Sequence, residues 1–211
     1  MPICPVSLAT SQINSKGRKF DQVLEGARKV FMADGFERAN VDQIAQTAGV
    51  SKATLYSYFP DKEQLFAEVA RLECLRMADA AAAEINTQGP IGEVLTSLAM
   101  RLAKYLLSDF TQTMFRICVS ERDRFPDIAR AFYDCGPEMG RKRLEEVLAH
   151  GVARGELKID NLTLAAEQFS DLSKSYLWMR AVFGIQTEFS QDEIATVTNE
   201  AVATFMARYG T

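Results

Sequence analysis

The chain has 211 residues, of which 47% are hydrophobic, and 24 Lys and Arg face 28 Asp and Glu for a net charge of −4. A chain of this length can bury a sizeable core in one or two domains. No apolar run approaches the ~20 residues that span a bilayer, so we expect no contact with a membrane.

The N-terminal part of the sequence predicts a flexible arm followed by a helix. Residues 1–15 lack the basic segment and the continuous apolar block of a signal peptide, and we expect them to form the arm. A helix is predicted from Lys16 or Arg18 to Asp34, with Gly35 ending it. Its apolar stripe consists of Phe20, Val23, Leu24, Ala27, Val30 and Phe31.

The next segment has the pattern of two short helices joined by a tight turn. Asn40 is the expected N-cap of the first, with Gln43 completing a capping-box-like pair, and Gly49 supplies a left-handed C-terminal residue. Ser51 caps the second, whose Leu55 and Phe59 should point inward. Its outward side chains are Lys52, Thr54, Tyr56, Ser57 and Tyr58. This arrangement is typical of a helix-turn-helix, which places its second helix in the DNA major groove.

The remaining sequence also predicts helices, and no convincing alternating strand pattern interrupts them. We expect helices over 61–85, 91–107, from 109, from 126, over 138–154, over 162–183 and from 190 towards the C-terminus. Gly136-Pro137 should separate two of them, and Ser190 with Glu193 should form a capping box for the last. The predicted fold is all-α.

The helix-turn-helix residues resemble the signature of TetR-family transcriptional regulators. The matching residues are Ile44-Ala45, Ala48-Gly49-Val50-Ser51, Thr54-Leu55-Tyr56, Tyr58-Phe59, Lys62-Glu63 and Leu65, with Ala27, Phe31, Gly35 and Phe36 upstream. The resemblance covers about residues 18–66. Ala39-Asn40 replaces the usual pair of hydroxyl residues, and Ala53 stands where Gly is frequent.

A second stretch, from Met114 to Phe169, resembles the C-terminal domain of the AefR-like branch of this family. The matching residues are Phe125-Pro126, Ala131-Phe132-Tyr133, Gly136-Pro137, Gly155-Glu156-Leu157 and Ala165-Ala166-Glu167-Gln168-Phe169. Together the resemblances imply a DNA-binding head over 16–62, joined by a long helix to an effector-binding and dimerisation domain over 63–211.

The expected DNA contacts combine phosphate-binding groups with side chains that reach base edges. The candidates are Lys16, Arg18, Asn40, Ser51, Lys52, Ala53, Thr54, Tyr56, Tyr58 and Lys62. Lys62 is expected at a helix N-terminus, which also favours a phosphate. For one of the two tyrosines, packing in the protein is as good an explanation as contact with DNA. Hydrogen bonds within its own helix explain Thr54 equally well.

The resemblance also implies a homodimer on a palindromic operator of double-stranded DNA, with half-sites ~34–36 Å apart for a single helical turn. Two helices from each subunit would form a four-helix bundle. The candidate interface residues are Leu144, Leu148, Gly151, Val152, Phe169 and Leu172.

Ligand control is implied by the resemblance as well: a small apolar or aromatic ligand would bind in the second domain and release a repressor from DNA. The candidate pocket residues are Leu102, Tyr105, Met114, Phe115, Cys118, Phe132, Tyr176 and Met179. An aromatic and methionine stripe at helical spacing is equally the pattern of an ordinary core, and His150 fits a surface or interface position.

Two other classes of function were weighed. An enzyme is not indicated, because one histidine, no Gly-rich phosphate loop and no metal-ligand spacing leave no catalytic constellation or cofactor site. A constitutive or protein-partner-controlled DNA-binding protein would carry the same head. Cys4, Cys74, Cys118 and Cys135 are far apart, which predicts inert free thiols in a reducing cytoplasm, with a thiol sensor at Cys118 or Cys135 as the alternative.

Overall fold

The computed structural model describes residues 17–84 and 89–211, and these residues form an all-α structure. The helices are α1 (Gly17–Arg38), α2 (Val41–Ala48), α3 (Lys52–Tyr58), α4 (Lys62–Glu84), α5 (Ile91–Leu106), α6 (Asp109–Glu121), α7 (Pro126–Tyr133), α8 (Met139–Ala153), α9 (Leu162–Lys174), α10 (Leu177–Val182) and α11 (Gln191–Tyr209). The arm predicted over 1–15 and Lys16 lie outside the described residues. No described helix has the length and apolar character needed to cross a membrane.

The described residues divide into two compact units, with the boundary between Leu65 and Phe66. α4 begins in the first unit and continues into the second. In the first unit the stripe predicted for α1 is buried throughout, as are Leu55 and Phe59. The Phe20 ring stacks on that of Phe59, with centroids 5.4 Å apart. α1, α2 and α3 therefore share one core, as the apolar spacing predicted.

Gly35 interrupts α1 at the predicted place, although the chain continues for one further turn. Its φ of 76° lies in the left-handed region that favours glycine. The carbonyl groups after Gly35 belong to the last turn of α1, where no following helical amide can donate to them. They therefore need hydrogen-bond donors from elsewhere in the unit.

The core of the second unit lies between α5, α8, α9 and α11. Its buried members are Ile91, Val94, Leu95, Ala99, Leu144, Leu148, Leu157, Ala165, Ala166, Phe169, Val202 and Phe205. Phe169 and Phe205 meet edge to face with ring centroids 5.2 Å apart.

Four of the candidate dimer residues are buried in or against this core. Leu144, Leu148, Gly151 and Phe169 are buried within a single chain, and a Cβ added to Gly151 would meet Leu157 Cδ1 at 2.7 Å. Their apolar character therefore serves the subunit's own core. Val152 is exposed, and Leu172 is partly buried against the core.

The helix predicted over 162–183 is two helices. α9 ends where the Ser175 amide and hydroxyl both donate to the Leu172 carbonyl, at 3.2 and 2.5 Å. Tyr176 then adopts a φ of 67°. Neither Gly nor Pro marks this break. The turn directs Tyr176 and Met179 to the surface, where they are 70% and 58% exposed, and this removes both from the buried pocket lining.

The break predicted at Gly136-Pro137 is instead a π turn over Asp134–Glu138 that connects α7 to α8. Pro137 has no amide hydrogen to donate, and the wider turn carries the chain past it without ending the helical path. The capping box predicted for α11 is confirmed: Glu193 N donates to Ser190 Oγ, and Ser190 N donates to Glu193 Oε2 at 2.8 Å.

Candidate nucleic-acid interface

The tight turn between α2 and α3 is built by local caps at three residues. Asn40 Oδ1 accepts from the amides of Asp42 and Gln43 at 2.7 and 3.1 Å. Gly49 has a φ of 66°, and its N–H donates to the carbonyls of Ala45 and Gln46 at the end of α2. Ser51 Oγ accepts from Thr54 N at 3.1 Å to start α3. These caps confirm the predicted helix boundaries, and they fix the angle between the two helices.

The side chain of Gln43 departs from the predicted capping box. Its Nε2 donates to Asp34 Oδ2 at 2.8 Å rather than to the backbone at Asn40. This side-chain hydrogen bond joins α2 to α1 next to the break at Gly35.

Gly26 is a structural residue of this site that the sequence analysis did not single out. It allows α1 to pass directly over α2, since an added Cβ would lie 2.7 Å from Ala48 Cβ and 2.8 Å from Ala48 N. Ala48 immediately precedes the turn at Gly49, so this close approach lies directly beside the turn that leads to α3. A glycine within the apolar stripe of a predicted helix is the signal that could have revealed it.

Gly26→Ala is expected to destabilise the first unit. Helix propensity alone would favour alanine by about 1 kcal/mol, but the contact is with backbone atoms, and overpacking costs about 1–3 kcal/mol. The matched control is Gly140→Ala in α8, where nothing lies within 4 Å of the added Cβ. Thermal unfolding should show a lower midpoint for Gly26→Ala alone. Equal midpoints for both variants would contradict the close approach.

The outward face of α3 carries the candidate base-reading residues. Lys52, Ala53 and Tyr56 are exposed, whereas Leu55 is buried beneath them. Lys52 Nζ lies 2.9 Å from Asp42 Oδ1, and both side chains are more than half exposed. The hydrogen bond and the charge of Asp42 raise the pKa of Lys52, so the ammonium stays charged. Because such an exposed pair is weak, a phosphate can compete for the lysine.

The two tyrosines of α3 have different surroundings. Tyr58 packs edge to face against Phe20, with ring centroids 5.5 Å apart. Tyr56 is 45% exposed. The packing alternative therefore applies to Tyr58, and Tyr56 presents its phenol outward.

The hydroxyl groups of Ser51 and Thr54 face each other 2.8 Å apart. Ser51 already caps α3, and Ser57 Oγ donates to the Thr54 carbonyl at 2.6 Å. Thr54 therefore bonds within its own helix while remaining half exposed. The geometry is compatible both with this local role and with a DNA contact.

Lys62 has a role that the sequence did not indicate. Its Nζ donates to the carbonyl oxygens of Phe36, Glu37 and Ala39 at 2.7, 3.2 and 3.1 Å, and it lies 4.5 Å from the centre of the Phe36 ring. An ammonium group has three protons to donate. These are the carbonyls that follow the break at Gly35, so the charge holds the α1–α2 connection together, and a phosphate contact would have to displace one of them. Arg18 is exposed at the start of α1.

The candidate pocket residues of the second unit lie on α5, α6, α7 and α10, with Tyr176 immediately before α10. Met114, Cys118 and Phe132 are buried, and Leu102, Tyr105 and Phe115 are half-buried. Phe115 meets Trp178 edge to face, with centroids 5.0 Å apart. Gln112, 6% exposed, donates to the Leu106 carbonyl at 2.7 Å, while its buried Oε1 has no hydrogen-bond partner among the described residues. Gln112 was not among the predicted residues.

A groove of about 450 Å³ lies between α9 and α11. It is lined by Gln168, Asp171, Leu172, Ser175, Thr204, Phe205, Arg208 and Tyr209. None of the candidate pocket residues borders it, whereas Leu172, a candidate dimer residue, does.

Two short helices joined at Gly49, with an exposed polar and aromatic face on the second, define a helix-turn-helix DNA-binding protein. The family description "Bacterial regulatory proteins, tetR family" matches residues 23–69, and "AefR-like transcriptional repressor, C-terminal domain" matches residues 93–211. The chain belongs to the TetR family, and it is a transcriptional repressor of that family with an AefR-like C-terminal domain.

Individual relatives agree with this assignment. The HTH-type transcriptional repressor AcnR of Corynebacterium diphtheriae is 41% identical over 156 residues, which are 71% of this chain and 76% of that protein. A TetR-family regulator from Mesorhizobium loti superposes with a TM-score of 0.84 at 26% identity, covering 92% of this chain and 98% of the other. The Flavonoid-responsive Regulator FrrA superposes with a TM-score of 0.77 at 32% identity, with the same coverage.

Proposed function

We propose that the protein is a homodimeric repressor that binds a palindromic operator and is released from it by a small apolar or aromatic ligand. The observation that carries the DNA-binding part is the outward face of α3. Lys52, Ala53 and Tyr56 project from a helix whose Leu55 anchors it in the core. In our proposal these side chains and Thr54 meet base edges, while Ser51, Asn40 and Arg18 contact phosphates.

The proposed dimer surface is a patch that we call the α10 surface, formed by Tyr176, Met179, Phe183 and Ile185. Each of these side chains is more than half exposed. Large apolar side chains exposed to water favour an interaction site. Leu164 and Val152, also exposed, and the half-buried Leu172 are further candidates. A two-fold dimer through this surface would pair two heads on a two-fold operator.

The ligand site is proposed around the buried side chains of α6 and α7. Met114, Cys118 and Phe132 supply apolar surface, and Gln112 Oε1 supplies an acceptor without a partner among the described residues. A ligand hydroxyl or N–H that reached this oxygen would relieve the cost of burying it unpaired. The similarity to FrrA, whose name describes it as flavonoid-responsive, supports an aromatic ligand.

Release from DNA would follow from a two-state movement of α4, because this helix runs from the first unit into the second. A ligand shifts such an equilibrium only through its different affinities for the two states. A nearly complete switch requires a difference of about 10⁴-fold. The proposed setting is the reducing cytoplasm, where the operator lies.

Selection of bound sequences from a random duplex pool tests the proposal with the purified full-length protein. We expect an inverted repeat with half-sites about one helical turn or somewhat more apart. Tyr56→Phe, which removes only the phenolic oxygen, should then weaken operator binding about fivefold, the loss of one hydrogen bond. Tyr133→Phe in the second unit is the matched control, since Tyr133 is similarly exposed.

Sequence-indifferent binding of the ligand-free protein would contradict the proposal. Specific binding that no small molecule relieves would favour instead a constitutive or protein-partner-controlled repressor.

A further inference from the structure

Two cysteines that are 61 positions apart in the sequence meet in the second unit. Cys74 of α4 and Cys135 of the π turn have their sulfur atoms 3.2 Å apart. Cys74 is buried, with 3% of its surface exposed, and Cys135 is half-buried. Sulfurs joined in a disulfide are about 2.05 Å apart, so a closure of about 1 Å separates this contact from a covalent bond.

The backbone beside the pair is irregular. Gly136 follows Cys135, and a Cβ added there would lie at an ordinary van der Waals distance, 3.7 Å, from Cys74 Sγ. Cys135 and Gly136 both belong to the π turn Asp134–Glu138, a type of irregular turn that is frequent at functional sites.

Within the pair, the surroundings favour the thiolate at Cys74. Hydrogen bonding from Cys135, and then from the Tyr105 hydroxyl 3.6 Å away, lowers the pKa of the Cys74 thiol, although burial opposes this shift. The same hydrogen bond and burial raise the pKa of Cys135. Cys118 differs, because burial raises its pKa to about 12. A thiolate is the reactive form, so we assign the first step to Cys74.

We propose that Cys74 and Cys135 form a reversible disulfide when the protein meets a peroxide. Cys74 is nearly enclosed and Cys135 only half-buried, so the geometry admits a small oxidant better than a peptide disulfide. Transient disulfides of cytoplasmic proteins are typically redox-sensing.

The chemistry balances with hydrogen peroxide as the oxidant. The Cys74 thiolate attacks one peroxide oxygen; a sulfur–oxygen bond forms, the oxygen–oxygen bond breaks, and the departing hydroxide takes a proton to become water. Cys135 then gives up its proton and attacks the sulfenic sulfur of Cys74, releasing a second water. Two thiols have lost two protons and two electrons, and one peroxide has become two waters.

The disulfide would attach α4 to the junction between α7 and α8. α4 begins at Lys62 in the first unit, so fixing it should change the equilibrium that we propose for operator release. This consequence rests on the proposed function. We expect operator affinity to change about fivefold or more on oxidation, the lower range of allosteric coupling.

The experiment treats the full-length protein with hydrogen peroxide and maps its cysteine peptides by mass spectrometry without reduction. We expect a Cys74–Cys135 cross-link that dithiothreitol reverses. Cys135→Ser should abolish it. Cys118→Ser, the same change at a thiol outside the pair, should leave it intact. Cys135 is the preferred site for the variant because it is less buried than Cys74, and circular dichroism checks that it folds.

Three outcomes would overturn the disulfide: unreacted thiols, oxidation of single cysteines without a cross-link, or cross-links formed only through Cys4 or Cys118. Operator binding of the reduced protein is measured first. Absence of specific operator binding by the reduced protein would reject the proposed function. The disulfide would still be tested separately by the mapping of cysteine peptides. Equal affinities of the reduced and oxidised forms would reject the coupling through α4.

Discussion

Lys62→Met is expected to lower the stability of the first unit by about 2–4 kcal/mol. The substitution keeps an unbranched apolar chain but removes the ammonium group that binds three carbonyl oxygens between Phe36 and Ala39. A hydrogen bond to a charged group contributes about 1.5–3 kcal/mol, and the total is smaller than three such bonds because the carbonyls regain water. Circular dichroism melting of the full chain measures the loss.

The same variant distinguishes a structural role for Lys62 from a direct phosphate contact. If the ammonium remains on the carbonyls, the dependence of operator affinity on salt should be unchanged at temperatures where the variant is folded. Lys52→Met is the matched control. Its ammonium is half exposed and paired with exposed Asp42, so we expect an unchanged melting midpoint, and its place on the base-reading face predicts an altered sequence preference. A Lys62 variant with normal stability and a reduced slope would contradict the structural role.

Phe205→Ala is expected to cost about 3–5 kcal/mol, the usual range for removing a buried phenyl ring. Phe205 is fully buried, lies edge to face with Phe169, and contacts the Tyr209 ring with centroids 4.8 Å apart. The cavity would open at the centre of the α5, α8, α9 and α11 core. Denaturant unfolding at several protein concentrations measures the loss, which should not depend on concentration.

Phe183→Ala removes the same atoms from the α10 surface and serves as the matched control. Phe183 is 70% exposed, so the stability of the single subunit should change by less than about 0.5 kcal/mol. Any effect should instead depend on protein concentration, because dissociation of a dimer does. Sedimentation should show weaker self-association. Unchanged association would remove Phe183 from the proposed dimer surface, and a small loss for Phe205→Ala would contradict the described core.

Some features could be predicted because they depend on neighbours in the sequence. The caps at Asn40, Ser51 and Ser190 and the left-handed Gly49 involve atoms within a few residues of one another. The buried stripe of α1 repeats with the period of the helix. Such interactions have the same geometry wherever the segment is placed, so the residue spacing alone specified the helix-turn-helix and the all-α class.

Other features depended on which distant segments meet. The sequence predicted a phosphate contact for Lys62, but it did not indicate that carbonyls more than 20 residues upstream surround its ammonium group. Leu144 and Leu148 could have faced either a partner or their own core, because an apolar stripe has the same pattern in both cases. The turn at Tyr176, with neither Gly nor Pro to mark it, directed other apolar side chains outward.

The cysteines illustrate the same division. Their wide spacing in the sequence predicted isolated thiols, and only tertiary packing brings Cys74 and Cys135 within 3.2 Å. The sequence by itself determined most of the helices, their caps and the exposed face of α3, because these rest on short-range hydrogen bonds and periodicity. The tertiary structure alone decided which charges, thiols and apolar faces have partners, because those contacts join residues whose separation along the chain carries no information about their distance in space.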